Sequence, residues 1–343
     1  GILRASEKCN GSADCRKTDL LGGTMCPSYR ATREEKNSTR ARANALREFL
    51  TRSQKTNPFD HREIYEVMDL CLSCKACKSE CPSGVDMAKL KSEFLQHYYD
   101  SNGIPLRTKL IAYLPKINSI LSNFSSIVNI FLKLKLTNQL IGFSSKRNLP
   151  LLSRNNFSNW YKKNRDRYKK ANYPNGKVFL FIDEFTNYNE SELGVKTFLL
   201  LTHLGYEVLV PKHLESGRTF ITKGLLRNAK KIATENIMLL KDVINPAAPL
   251  IGIEVSAILS FRDEYLDLVD TNLKSAAEKI AESTFTFEEF LSSEIKKGKI
   301  SSASFTNNFK KIKLHGHCQQ KAIASTNATV EVLSLPQNYK VEE

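Results

Sequence analysis

The chain is poor in acid: 36 Asp and Glu stand against 51 Lys and Arg, a formal charge of +15 over 343 residues. That balance excludes an acidic, solvating polymer. Fifteen Gly and 11 Pro are too few for a collagen-like or low-complexity chain. No long uncharged apolar run occurs. The most apolar stretch, Ile127 to Leu140, is broken by Asn129, Lys133, Lys135 and Asn138, so no transmembrane helix is expected. Neither G-x-G-x-x-G nor the Walker A pattern is present, so no nucleotide or flavin fingerprint can be read. Cysteine is nearly absent beyond residue 81, where only Cys318 remains, and this excludes a framework of disulfides stapling the whole chain. The first residues, Gly-Ile-Leu-Arg, carry no initiator Met and no signal pattern, and read as a processed product or an excised piece.

The other seven cysteines crowd into the first 81 residues. Cys71, Cys74, Cys77 and Cys81, followed by Pro82, have the spacing C-x2-C-x2-C-x3-C-P. Three thiolates two residues apart suit one face of a cubane [4Fe-4S] cluster; in two-cluster ferredoxins the fourth Cys ligates the other cluster. Zinc is the alternative, but four-cysteine zinc sites usually put a long gap between two C-x2-C pairs. Upstream lie Cys9, Cys15 and Cys26-Pro27. If ligands are exchanged in the two-cluster manner, Cys26 completes the site of Cys71, Cys74 and Cys77. Cys9, Cys15 and Cys81 are then left for a second site that is one thiolate short. A three-iron cluster, an oxygen ligand such as Asp14, a ligand from elsewhere or an empty site all remain open. A reducing compartment fits this cysteine usage.

Apolar spacing predicts helices from Ser38 to Leu50 and from Met87 to Tyr98. From Leu110, apolar residues recur at steps of three and four through Phe131, which predicts one or two amphipathic helices with Pro115 in a first turn. Between Ser101 and Lys177 there are fifteen Lys and Arg against a single acid, Asp166. Beyond Asn172 the pattern alternates: strand Lys177–Ile182, helix Ser191–Leu204, strand Tyr206–Val210, helix Thr219–Val243, strand Pro249–Glu254 and strand Lys311–His315. Alternation of this kind predicts a parallel α/β sheet. The unit at Lys311 reads as a repeat of the unit at Lys177 that is cut short.

Several segments together carry a family resemblance. They are Cys9-Asn-Gly through Cys15-Arg, Gly-Thr-Met-Cys26-Pro-Ser-Tyr-Arg-Ala-Thr-Arg, the four-cysteine motif with Gly84-Val-Asp-Met-Ala-Lys, Arg262-Asp-Glu-Tyr265 and His315-Gly-His-Cys318-Gln-Gln-Lys321. The chain resembles the iron–sulfur part of bacterial FAD-linked oxidases. These are fusions of a flavin dehydrogenase for D-lactate or D-2-hydroxyglutarate with a ferredoxin-like domain and heterodisulfide-reductase-like cysteine-rich domains. The resemblance implies an α-helical ferredoxin-like cluster domain over residues 1–100 and a basic amphipathic helical linker over 101–176. An α/β cysteine-rich-type domain with a mostly parallel sheet, its second half truncated, would cover 177–343. It also implies FAD on a domain upstream in the same polypeptide. Where the wider family has Cys-Cys-Gly, this sequence has Glu215-Ser216-Gly217, and Ser256 is followed by Ala257 where related chains can have Cys, so no cluster is expected in that half.

Outside the cysteine motif, candidates are weaker. His315, His317 and Cys318 follow a strand and offer two imidazoles and a thiol, a weaker metal site in a domain separate from the cluster. Asp183, Glu184, Asn187 and Tyr188 fall in the first strand-to-helix turn, where capping is the plainer role. Arg218 after Gly217, and Glu254 beside Ser256, occupy similar turns; Arg218 would suit a carboxylate. The expected function is electron transfer from flavin through the cluster to an acceptor, a quinone or a protein. A zinc-stabilised module binding nucleic acid or protein is the alternative. For the basic stretch, a solvated linker or intersubunit contact comes first, an anionic membrane surface second and nucleic acid a distant third. The expected location is cytoplasmic, with peripheral attachment at the inner face of the membrane left open.

Overall fold

The computed structural model describes all 343 residues apart from the side chain of Asp19. The first hundred residues are helical. Helix Thr39–Arg52 starts at Ser38, whose side chain accepts the amide hydrogen of Ala41. Helix Met87–Asn102 starts at Asp86, which accepts that of Lys89. Both are ordinary N-caps that satisfy an otherwise orphaned N–H. Helices Arg62–Asp69 and Ala76–Glu80 lie between them in sequence. Leu46, Ile64, Met68 and Phe94 close a core that also includes the cysteines. The buried guanidinium of Arg42 donates to the carbonyls of Val67 and Asn37, tying helix Arg62–Asp69 and the turn before Ser38 to that core.

From Leu106 to Leu140 the chain forms four short helices, Leu106–Ala112, Leu114–Leu121, Ser125–Leu132 and Lys135–Leu140, rather than one or two long ones. Pro115 opens the second, because its ring cannot follow a continuous helix. The amphipathic pattern is turned inside out here. Asn118, Ser122, Ser125 and Asn138 are buried, whereas Ile120, Phe124, Ile127, Ile130, Phe131, Leu136 and Leu140 face outward, each more than half exposed. Among the described residues no helix is long and apolar enough to cross a membrane.

Residues 176–286 build a four-stranded parallel sheet from β1 (Gly176–Phe181), β2 (Tyr206–Leu209), β3 (Leu250–Gly252) and β4 (Thr284–Thr286), in the order β2-β1-β3-β4. Val178 pairs with Val208, Leu180 with Ile251, and Ile251 with Phe285. Alternate residues of β1 enter different cores, as the pleat requires. Val178, Leu180 and Ile182 pack with Phe198, Leu201 and Phe290. Phe179 and Phe181 pack with Ile237, Leu240, Ile258 and Phe261. Two further strands, β5 (Lys310–Lys313) and β6 (Tyr339–Glu342), form a separate parallel pair. A helical part followed by a small parallel sheet with helices agrees with the expected arrangement.

Two expectations are corrected. The helix expected over Thr219–Val243 is two, Arg218–Thr222 and Leu226–Leu240. The break falls at Gly224, whose φ is +72° and where an added Cβ would lie 2.3 Å from Cβ of Leu95. Helix Met87–Asn102 therefore presses directly on this backbone, and Phe220, Ile221, Leu225 and Ala229 complete the core of the cysteine-bearing part. The strand expected to run to Glu254 stops at Gly252, because the Glu254 carboxylate caps the next helix by accepting the amide hydrogen of Ala257.

An ion-pair network lies on the same seam. Lys75, with no exposed side-chain surface, donates to Asp263 at 2.5 Å and lies 2.8 Å from Glu264. Lys78 and Lys89 also reach Asp263, at 2.7 and 2.8 Å, and Arg218 reaches Glu264 at 2.7 Å. The surrounding lysines hold the Asp263 carboxyl well below the usual carboxylate range despite its burial. Removing one partner of a buried pair leaves an uncompensated charge, at about 3–5 kcal/mol. Lys75→Met is therefore expected to lower unfolding stability by about that amount, and Lys78→Met, whose side chain is partly exposed, by no more than ~1 kcal/mol. Denaturant titration of both variants checks this; equal losses would mean that the network does not centre on Lys75.

Candidate iron–sulfur site

The cysteine loop begins where helix Arg62–Asp69 ends, with the amide of Cys71 bonded to the carbonyl of Met68. Ser73 and Lys75 adopt left-handed backbone conformations, φ 54° and 63°. Single left-handed residues reverse the chain locally and cost energy for side-chain-bearing residues, so they persist only where surroundings hold them. Lys75 is held by its ion pairs. Cys26, also left-handed at φ 52°, precedes helix Pro27–Thr32.

These turns bring Cys26, Cys71, Cys74 and Cys77 to the wall of one small cavity, with Thr39, Arg42 and Met87 beside them. The two parts of the motif, some fifty residues apart in sequence, are clamped by Glu80. Its carboxylate accepts from the amide and hydroxyl of Thr24, both at 2.7 Å, and from the amide of Met25 at 3.0 Å. Backbone donors point at the sulfurs: Thr39 N–H to Cys26 Sγ at 3.0 Å and Met87 N–H to Cys77 Sγ at 3.3 Å. Burial pushes the Cys74 thiol up to about 11 and raises those of Cys77 and Cys26 as well. Such thiols ionise only when a cation pays the electrostatic cost, as a bound metal does. Four sulfurs around one cavity, two of them accepting from backbone N–H groups, are a donor set that fits an iron–sulfur cluster.

Cys81 does not line this cavity; its amide bonds back to the carbonyl of Cys77. Cys15 is buried, and its sulfur accepts from the amide of Arg40 at 3.4 Å; Cys9 is its electrostatic neighbour. The spacing offers a signal that counting thiols misses. Cys9, Ser12 and Cys15 step by three as Cys71, Cys74 and Cys77 do, so Ser12 stands where the middle thiolate would be.

Cys318 is not remote from the cysteine motif, contrary to expectation. Helix Cys318–Ile323 packs against helix Ala76–Glu80, and Cys318 is an electrostatic neighbour of Cys74. The residues that follow β5 turn back toward the cluster loop, which the sequence order conceals. His317 caps this helix, its Nδ1 facing the amide of Gln319 at 3.2 Å, and its Nε2 lies 3.8 Å from Glu254. Among the described residues no three His, Cys, Asp or Glu side chains are close enough to hold a single metal ion, which applies to Cys26, Cys71, Cys74 and Cys77 as it does to His315, His317 and Cys318.

A cavity of about 300 Å³ opens at the carboxyl ends of β1 and β3, lined by Asp183, Glu184, Ser216, Arg218, Glu254 and Ser256. Its polar groups largely serve one another. Asp183 caps helix Glu184–Tyr188 through the amides of Phe185 and Thr186. Asn187 does not cap but accepts from Ser158, and Arg218 is engaged by Glu264. Glu184 accepts from the amide and hydroxyl of Ser216. Burial, and then the neighbouring Asp183, raise Glu184 from 4.5 to about 7; burial raises Asp183 from 3.8 to about 6. Here the folded chain binds protons that the unfolded chain has released, so stability falls as pH rises from about 4.5 to about 7. Glu184→Gln is expected to flatten that decline, with Asp183 leaving a residual slope. Denaturation midpoints across this range check it; an unchanged slope in the variant would contradict the assignment.

Residues 5–85 match the family described as a 4Fe-4S dicluster domain. The D-2-hydroxyglutarate dehydrogenase of Pseudomonas putida is 29% identical over 301 residues, which cover 75% of this chain and 29% of that protein. The enzyme of the same name from Haemophilus influenzae is 25% identical, covering 77% and 30%, and that from Escherichia coli 26%, covering 76% and 30%. The chain thus spans less than a third of the length of these relatives. No solved structure matches. Residues 5–85 are therefore similar to 4Fe-4S dicluster domains, and the chain is similar, over three quarters of its length, to one part of the D-2-hydroxyglutarate dehydrogenases of these bacteria.

Proposed function

We propose that this chain is the electron-transfer part of a flavin-linked D-2-hydroxy-acid dehydrogenase, D-2-hydroxyglutarate being the substrate that the relatives' name suggests. The observation that carries the reading is the meeting of Cys26 with Cys71, Cys74 and Cys77 around one cavity, with backbone donors on two of the sulfurs. Bound there, a [4Fe-4S] cluster supplies one-electron chemistry. The residues of the chain would hold the metal through the four thiolates, exclude water through Met87 and Ala88, and set the potential through the Thr39 and Met87 amides. Hydride removal from the hydroxy acid would belong to FAD on a part of the protein outside these residues.

Anaerobic reconstitution with iron and sulfide tests the ligand set. Cys26→Ser is expected to lose most of the visible absorption of the cluster at the Cys71, Cys74 and Cys77 site, whereas Cys81→Ser retains it. A Cys26 variant with the full spectrum, or a Cys81 variant without it, would favour a site made wholly from the compact motif. A colourless protein that binds zinc would support the non-redox alternative.

The outward apolar face of residues 106–140 supports seating on an anionic lipid surface at the inner face of the membrane, close to a quinone acceptor. Buried polar and exposed apolar side chains suit an interfacial segment, and the surplus of Lys and Arg is complementary to anionic headgroups. Co-sedimentation with anionic vesicles is expected at low salt and should weaken at high salt, since charges are screened over roughly 8 Å at physiological ionic strength. Binding to the flavin-bearing part but to no vesicle would make the face an internal brace instead.

A further inference from the structure

A cavity of about 360 Å³ lies between helices Arg62–Asp69, Met87–Asn102 and Leu106–Ala112 and the turn at Thr222-Lys223. Three cations line it: Lys91, Arg107 and Lys223. Its only acid is Asp69, at an exposed position, so the lining carries a net +2. Tyr65, Tyr99, Thr108 and Thr222, each bearing a hydroxyl, also line it.

The cations are not used up by the fold. The half-buried ammonium of Lys223 has no hydrogen-bond or ion-pair partner among the described residues; burial and then the nearby Arg107 lower its proton affinity, against a smaller opposing pull from Asp69. Arg107 lies over the ring of Phe143, 4.8 Å from its centroid, and likewise makes no ion pair among the described residues. Like charges in a partly desolvated cavity repel. Lys91 donates to the main-chain carbonyls of Asp69 and Cys71, at 3.2 and 2.7 Å. One of the cations therefore bonds directly to the backbone of the cysteine loop.

We propose that this cavity binds a small dianion, an aliphatic dicarboxylate or a phosphate, between Lys223 and Arg107 with Lys91 behind them. Two negative charges neutralise the net +2, the Thr and Tyr hydroxyls donate to the remaining oxygens, and the volume is more than enough to admit either anion. The site is separate from the cysteine cavity and from the acidic cavity at the sheet edge. Its occupant would sit one side chain away from the carbonyl of Cys71.

The test is calorimetric titration of the chain with glutarate and, separately, with inorganic phosphate at low ionic strength. One anion or both should bind at a single site, and the arm that binds identifies the source. Lys223→Ala and Arg107→Ala should each weaken that binding at least about tenfold, the loss of one charged contact. Both replaced side chains are partly or fully exposed, and unchanged circular dichroism and melting would confirm that the variants fold. Lys170→Ala, at a cation remote from the cavity, should bind as the parent does. Failure of both anions to bind, or binding unaffected by Lys223→Ala, would overturn the proposal.

Discussion

Lys75 is the residue on which the rest of the arrangement hangs. Its backbone makes one of the two left-handed turns that wrap the cysteine loop, and its side chain, wholly buried, is fixed by Asp263 and Glu264 in a different part of the chain. A buried ion pair rarely adds much net stability, because desolvation offsets the attraction; its effect is to forbid arrangements in which the charges separate. Here the forbidden arrangements are those in which the cysteine loop moves relative to the sheet. The packing of Gly224 against Leu95 enforces the same juxtaposition by contact rather than by charge.

That juxtaposition explains why polar side chains gather between the cysteine cavity and the sheet edge. Glu264 joins Lys75 to Arg218, and Arg218 lines the cavity that holds Glu184 and Glu254. The cluster loop and the carboxyl ends of the strands therefore share a continuous set of ion pairs. Residues 114–118 border that same cavity, while the inverted face of residues 106–140 leaves large apolar side chains in water.

The parts legible in the sequence were those with a local signal. The C-x2-C-x2-C-x3-C-P spacing, the amphipathic helices before residue 100 and the hydrophobic runs of β1 and β2 each declare themselves within a dozen residues. Strand β4 did not, because three residues, Thr-Phe-Thr, are too few to show a period. The break at Gly224 did not, because a glycine inside a helical pattern looks tolerable until the helix crossing it is known. The nearness of Cys318 to Cys74 depends on a packing of two short helices separated by more than two hundred residues, for which no local pattern exists. The exposed apolar face was legible as periodicity but not as orientation, since spacing gives a face without saying which way it points.

The central claim is that the four sulfurs of Cys26, Cys71, Cys74 and Cys77 hold a polynuclear iron–sulfur cluster. X-ray absorption on the protein purified anaerobically tests it most directly, since it identifies the metal and its neighbours without reconstitution. The account predicts an iron edge whose fine structure shows a sulfur shell and a second shell of iron. A zinc edge alone, with four sulfurs and no metal neighbour, would contradict it.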